Sequence, residues 1–436
     1  MRRVLIVTSS YAPTMIADMH RARHLAWELP KLGWEVEILS PGTSYQTPSY
    51  IDDDSAVFFS PETPTHFAPE FCRFLFQIFG SKGIGWRAII PMMRAGQKLL
   101  KERNFDIVYI STAKFPLFLL GPAWRSLFGV PFILDFHDPC YKEEISNPVW
   151  TRPSLKHFLA NWLSKHVEAR ATPAAAGLVS VSPIYINILR RRYEGQKPAW
   201  LHADRQVVIP FAALSRDLDE VAEGIGFREA AAEHTARIIY VGAGGPIMLH
   251  SFSLLCKALS NLRVQHPELV GRVRIELYGT MLGWREGDPR HLADLARERG
   301  VADLVIEHPG RVSYRRSLEL LLESDGALIL GVDDAGYMPS KLFTYALSGK
   351  PLLASLRQDG PSFAQFQNNP ELGHALWFRQ SEEIPVSEAV KIVSAFLHEV
   401  TERRTFDRRA SLERFLAPAM ARQHVKLFET CLHCAS

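Results

Sequence analysis

Val4-Leu5-Ile6-Val7-Thr8, then His20 to Leu32, then Glu35-Val36-Glu37-Ile38-Leu39, open the chain and decide its fold class. The first piece is a short run of branched apolar residues without polar alternation, the pattern of a strand buried on both faces of a parallel sheet. The middle piece sets Leu25, Leu29 and Leu32 near one face of a helix. The last piece is a second strand. Strand, helix and strand in that order make a right-handed βαβ unit, the building block of a doubly wound α/β fold.

The same alternation continues outward. Further strands are expected at Ile107–Ile110, Phe132–Asp135, Leu178–Val181 and Val207–Ile209. A second series follows at Ile238–Val241, Val273–Tyr278, Leu304–Glu307, Ala327–Leu330, Leu352–Ala354 and Ala375–Phe378. Helices fit between them: Phe252 to Val264 carries Phe252, Leu255, Leu259 and Leu262 at spacings of three and four, and Leu318 to Leu322 repeats this in short form. Ser215 to Thr235 is rich in Asp, Glu and Gly and reads as a linker or an exposed helix. The expected organisation is therefore two Rossmann-like domains, residues 1–213 and 214–410, facing a cleft, followed by a C-terminal helix and tail at 411–436. That helix is read from Arg408 to Cys431.

Composition narrows the function. A chain of 436 residues with a net charge of +3 has no basic excess to support nucleic-acid binding. The five cysteines, Cys72, Cys140, Cys256, Cys431 and Cys434, are too few and too scattered for a disulfide framework. Cys431-Leu432-His433-Cys434 is half a zinc site without its complement. No apolar run reaches the ~20 residues of a membrane span, and Val4 to Val7 is too short for a signal-peptide core, so a cytoplasmic protein is expected. Phe71-Cys72-Arg73-Phe74-Leu75-Phe76-Gln77-Ile78, with Lys82, Trp86, Arg87 and Arg94, admits two readings. It is either a peripheral contact with the inner face of a membrane or a lipid-linked acceptor, or else a helix packed on the first domain.

In open parallel sheets ligands bind beyond the carboxyl ends of strands. The loop after the first strand, Ser9 to Asp18, has no glycine and so fails the dinucleotide fingerprint. His137-Asp138 follows the strand at Phe132–Asp135, where a histidine can exchange protons near neutral pH; a capped loop histidine is the alternative. Gly242-Ala243-Gly244-Gly245 follows another strand and allows close backbone approach, or a plain tight turn. In Tyr337-Met338-Pro339-Ser340-Lys341-Leu342-Phe343-Thr344, Ser340 suits a helix N-cap and Gly349 its stop. Lys341 would lie in the first turn, where the helix dipole disfavours a cation unless an anion docks beside it. No clustered Asp-x-Asp or His/Cys set points to a metal; Asp52-Asp53-Asp54 lies in a polar loop.

These residues resemble the family-4 glycosyltransferases, which have the GT-B architecture. Similar in order are Val4–Thr8 with Tyr11-Ala12-Pro13, Arg21, Leu25 and Leu29, and Gly33-Trp34-Glu35-Val36. Phe105-Asp106-Ile107-Val108 and Val130 to Asp138 continue the pattern, as do Tyr240-Val241-Gly242, Gly310-Arg311-Val312, and Pro339 to Tyr345 with Gly349-Lys350-Pro351. The resemblance implies transfer of a sugar from a nucleotide-sugar donor to an acceptor hydroxyl, with retention and without a metal or other cofactor. It puts the acceptor, a glycan or lipid-linked compound, on the first domain near Tyr11, Pro13 and Met15, with His137 and Asp138 at the reacting sugar. It puts the donor on the second domain, at Gly242, Ala243, Gly244, Arg311, Val312, Tyr337, Pro339, Ser340, Lys341 and Thr344.

Three departures stand against the family pattern. The Arg and Lys that commonly follow the Gly242 strand are missing from Ala243 to His250, the paired glutamates fall on Gly336 and Thr344, and the usual Asn after Ile209-Pro210 is Phe211. Two other functions therefore compete with transfer: an inactive GT-B protein that binds a nucleotide or glycan, and a GT-B nucleotide-sugar epimerase.

Overall fold

The structure is a computed structural model and describes residues 1–70, 83–141, 155–224, 235–281, 283–380 and 382–433. The chain divides into two compact units, one of residues 1–210 with 417–436 and the other of residues 211–416. Each is built on its own parallel sheet.

The first sheet has seven strands: β1 Arg2–Val7, β2 Trp34–Pro41, β3 Thr65–Ala68, β4 Ile107–Ser111, β5 Phe132–Phe136, β6 Gly177–Ser180 and β7 Gln206–Val208. Their spatial order is β3-β2-β1-β4-β5-β6-β7. The second has six: β8 Ala236–Val241, β9 Val273–Tyr278, β10 Val305–His308, β11 Gly326–Leu330, β12 Leu352–Arg357 and β13 His374–Phe378, in the order β10-β9-β8-β11-β12-β13. Every ladder is parallel. In both sheets the chain starts in the interior, winds to one edge and crosses back, which is the doubly wound, Rossmann-like arrangement.

All the strands expected from apolar runs are present to within three residues at either end. The one not expected, β3, is Thr-His-Phe-Ala at a sheet edge, where no continuous apolar run is needed. The first helix ends at Glu28 because Pro30 supplies no N–H to continue it, so Leu25 and Leu29 are buried while Leu32 is exposed. Ser215–Ala222 is a helix with Leu218 and Val221 buried, and the Tyr314 hydroxyl donates to its Asp217 at 2.7 Å; residues 225–234 of the expected linker lie outside the described residues.

The C-terminal helix starts later than expected, at Ala417, and runs to His433. Arg408 is not helical but buried, with its guanidinium donating to the carbonyls of Glu371, Ala346 and Lys350. The terminal helix belongs to the first unit rather than standing apart. It buries Leu427, Phe428 and Cys431, with Phe428 meeting Trp34 and Tyr109 edge-on or tilted at 5.4 and 5.5 Å.

One contact tests the packing of the first unit. Gly96 lies on the helix Ile84–Glu102, where a Cβ would fall 2.1 Å from the ring of fully buried Trp124. Gly96→Ala should lower stability by ~1–3 kcal/mol through overpacking, despite the ~1 kcal/mol of helix propensity that alanine adds. A urea melt checks it; an unchanged or raised midpoint would mean that the helix and Trp124 are not in close contact.

Candidate functional site

β4 and β5 pair so that Ser111 is opposite Asp135 and Tyr109 opposite Ile133. Strand residues alternate between faces. Val108, Ile110, Phe132, Leu134 and Phe136 therefore enter one apolar core, which releases Tyr109, Ser111 and Asp135 to the other face. There a polar cluster forms on a single oxygen. Asp135 Oδ2 accepts hydrogen bonds from the Tyr109 hydroxyl at 2.7 Å, the Ser111 hydroxyl at 2.8 Å and His137 Nε2 at 2.7 Å. Arg21 Nε stands 2.8 Å from the same oxygen in an ion pair with no exposed surface on either side chain. Arg21 is held from its other side by donation to the Ile209 carbonyl at 2.6 Å. Burial would raise the Asp135 carboxyl, but Arg21 and His137, with the hydrogen bonds, outweigh it and hold the group well below the usual carboxylate range.

The cluster continues into the terminal helix. His424 Nε2 lies 3.0 Å from the Tyr109 hydroxyl, and His424 Nδ1 lies 2.8 Å from the Met420 carbonyl. Burial, aided by Arg21, pushes the His424 ring down to about 3. Burial and the charge of Asp135 push the Tyr109 phenol up. His137 is itself nearly buried, and Asp138 beside it is exposed.

The residues expected on the acceptor side lie in the loop after β1. Tyr11 and Met15 are buried, with Tyr11 packed edge-on against Phe59 at 5.1 Å and the Met15 amide donating to the Tyr50 carbonyl. The segment of residues 42–59 covers this loop, so both side chains serve the interior; Pro13 is half-buried, with its carbonyl bound by the Asp52 amide.

In the second unit β8 ends at Val241, and the glycine loop follows. The amides of Gly242 and Gly244 donate to the carbonyls of Tyr278 and Thr280, so neither is aimed at an anion. Ala243 is exposed, with its carbonyl taking the Tyr240 hydroxyl at 2.8 Å. What Gly242 provides is room. It has a φ of 150°, and a Cβ there would lie 2.0 Å from Lys341 Nζ. The Lys341 amine donates to the Val241 carbonyl, sits 4.3 Å above the Tyr240 ring and lies 5.9 Å from the Tyr345 ring. Lys341 is half-buried as a residue, but its amine is enclosed, and burial pushes the group down to about 7.

The helix after it differs from the expectation. It spans Leu342–Leu347, with Lys341 rather than Ser340 at the N-cap and no side-chain capping bond. Ser340 and Thr344 are half-buried and Pro339 is buried. Gly349 ends the segment with a φ of 77°. The Tyr337 carbonyl accepts from the Ser362 hydroxyl, Arg311 is exposed and Val312 half-buried. Sequence reasoning singled out Lys341 and His137. It missed the partners that make them unusual: Tyr240 and Tyr345 for the first, and Asp135, Ser111, Tyr109 and His424 for the second. The only signal for Asp135 was its place at a strand end; His424, 287 positions from His137, had none.

Among the described residues no group of three or more His, Cys, Asp or Glu could hold a metal ion. Cys431 is buried in the first unit and Cys434 lies outside the described residues. No helix among the described residues is long and apolar enough to cross a membrane. Phe71 to Ile78 and Lys82 also lie outside the described residues. Trp86 packs on the first core and Arg87 covers the Tyr45 ring at 5.1 Å, which supports a packed helix for that part of the stretch, with Arg94 exposed.

Residues 20–212 match the model of the glycosyl transferase 4-like domain. No curated protein matches the chain. Among solved structures, it is similar to Anabaena Alr3699/HepE in complex with UDP-glucose, at 13% identity and a TM-score of 0.58, covering 99% of this chain and 100% of that one. It is also similar to a UDP-forming α,α-trehalose-phosphate synthase from Burkholderia xenovorans, at 13% identity and a TM-score of 0.60, covering 98% and 99%. WaaG, a glycosyltransferase involved in lipopolysaccharide biosynthesis, matches at 12% identity and 0.54, covering 97% and 99%. The chain has the GT-B glycosyltransferase fold, carries a glycosyl transferase 4-like domain over residues 20–212, and resembles the family-4 glycosyltransferases.

Proposed function

We propose that this protein is a retaining glycosyltransferase that moves a sugar from a nucleotide-sugar donor to an acceptor hydroxyl in glycan or glycoconjugate synthesis. The observation that carries the reading is the ionised Asp135 holding His137 at a strand's carboxyl end, inside the glycosyl transferase 4-like domain. With Nε2 donating to a carboxylate, the ring keeps its lone pair on Nδ1, the nitrogen that can accept a hydroxyl proton or hydrogen bond. In this reading His137 meets the reacting sugar, with Asp138 at the same strand end. UDP-glucose is the first donor to try, because Alr3699/HepE was solved with it.

Lys341 is the proposed counter-charge for the donor diphosphate, with Gly242, Ala243, Gly244, Tyr337, Pro339, Ser340 and Thr344 around it and Arg311 and Val312 toward the base. The Arg and Lys absent from Ala243 to His250 leave phosphate stabilisation to another cation, and the Lys341 amine reaches the end of β8. That absence also favours a second reading, a protein that binds the donor without transferring it. Metal independence, a cytoplasmic location and a peripheral contact at the inner face of the membrane, where a lipid-linked acceptor would lie, belong to the same proposal. Exposed Phe158, Leu159 and Trp162 on the helix Leu155–Ala171, with exposed Lys165 and Arg170, support the contact. The chain should co-sediment with anionic vesicles and not with neutral ones; failure to bind either removes the membrane from the proposal.

Turnover tests the main reading. Sugar transfer or donor hydrolysis should appear with a nucleotide sugar, with or without EDTA, and His137→Ala should lower it by ~10²-fold or more. Tight donor binding with no turnover on any acceptor would favour the binding protein, and loss of activity in EDTA would introduce a metal.

The Lys341 amine makes a pH prediction. A bound diphosphate favours the charged amine and raises its value above the free one of about 7. Affinity for UDP-glucose, whose phosphates do not titrate in this range, should be flat below pH 7 and fall above it. Lys341→Met should abolish that pH step and weaken binding by ~10- to 100-fold, while uridine, which has no phosphate, should bind as before. Calorimetry on both ligands decides; equal losses would make Lys341 a support of the fold.

A further inference from the structure

We propose that Tyr109 and His424 are positioning residues for His137: acting through Asp135, they set how tightly the charged imidazole is held. The proposal deepens the reading of His137 as a working group and brings the terminal helix into the site.

The Met420 carbonyl can only accept, so His424 Nδ1 carries a proton. The His424 ring is neutral at physiological pH, which makes its Nε2 an acceptor. Asp135 is ionised and also only accepts. The Tyr109 hydroxyl stands between these two acceptors, at 2.7 and 3.0 Å, with one proton to give. That proton is shared, and where it rests depends on how much Asp135 needs it.

His137 decides that need. When its Nδ1 gains a proton, the Nε2–H bond to the Asp135 carboxylate acquires a charged donor as well as a charged acceptor and strengthens. The carboxylate then depends less on Tyr109, and the phenol proton turns to His424. When His137 loses the proton, the phenol returns to Asp135. No proton enters or leaves the cluster at Tyr109 or His424; a hydroxyl rotates. Among the described residues, the groups that face Asp135 and His137 include Arg21 from the first helix, Tyr109 and Ser111 from β4, and, one step away, His424 from the terminal helix. Arg21 is permanently charged, and the Ser111 hydroxyl contacts both Asp135 and His137 Nε2 directly, so the pair Tyr109–His424 is the part that acts on His137 through Asp135 alone.

Two substitutions should move His137 in opposite directions. Tyr109→Phe removes a donor from Asp135, leaves the carboxylate a stronger acceptor, and should raise the midpoint of the His137 titration. His424→Phe keeps a ring beside Tyr109 and Phe428 but cannot accept. The phenol then stays on Asp135, competes with His137, and should lower the midpoint. Each change should be about 0.5 pH unit or more. His424→Gln, whose amide oxygen can accept from Tyr109, should stay near the wild type. The readout is the ring C–H resonances of His137 against pH in the full chain, assigned by loss in His137→Ala, and it needs no turnover. If sugar transfer is found, the acidic limb of kcat/KM should move with the ring. Correct signs without any transfer would uphold the network and remove the glycosyltransferase reading. No change in Tyr109→Phe, or shifts of one sign in both variants, would overturn the proposal. Should His424→Phe fail to fold, a rise in Tyr109→Phe upholds it, and its absence or a fall overturns it.

Discussion

Asp135 buries a negative charge with no exposed surface, and the first unit is arranged around the cost of doing so. A carboxylate removed from water loses several kcal/mol of hydration that only close donors and a counter-ion can offset. Here the compensation comes from separate parts of the chain: Arg21 on the first helix, Tyr109 and Ser111 on the neighbouring strand, and His137 two residues on. The registry of β4 against β5 is what lets this happen, because it sets Ser111 level with Asp135 while the intervening residues fill the apolar core. A slip of one residue would send the polar side chains into that core and the apolar ones out. The packing of the sheet and the orientation of His137 are thus one constraint.

The second unit handles its buried charge differently. Among the described residues Lys341 has no carboxylate opposite it; a carbonyl and an aromatic face receive the amine. Those contacts are weaker than an ion pair, and burial brings the amine close to neutrality at physiological pH. Gly242 is what admits it, since any side chain there would occupy the position of the ammonium. The glycine loop, which suggests a backbone cradle for phosphate, spends the amides of Gly242 and Gly244 on bonds to Tyr278 and Thr280.

What could be read in advance follows the range of the forces involved. Strands buried on both faces leave a local imprint, so runs such as Ile107–Ile110 and Phe132–Asp135 marked their elements. The edge strand Thr65–Ala68 is half-buried and left none. Arg408 looked helical by local pattern, but its guanidinium is committed to three carbonyls that only the folded unit brings together. Tyr11 and Met15 looked like loop residues near a ligand; the cover of residues 42–59 that buries them carries no periodic signal. Lys341 was found for a reason that holds only in part. It does stand at a helix start, yet the helix is six residues long and the amine turns inward onto the Val241 carbonyl.

The two clusters also suggest how a chain lacking the usual Arg and Lys after the Gly242 strand could still manage a diphosphate. Two guanidinium or ammonium groups in water are charged whether or not a ligand is present, so they attract any anion. An amine held near neutrality by burial is a poorer lure for the free phosphates and carboxylates of the cell, because binding must first charge it. A ligand that brings enough contacts to charge the amine gains the full strength of a charge-assisted bond in a low-dielectric setting. In the proposed donor site the cost is affinity and the return is discrimination between a nucleotide-linked diphosphate and simple anions. In the first unit the charge is fixed by Arg21 and cannot adjust, which suits a group that must hold one histidine in one tautomer. In the second it is left adjustable, which suits a group that must answer to what binds.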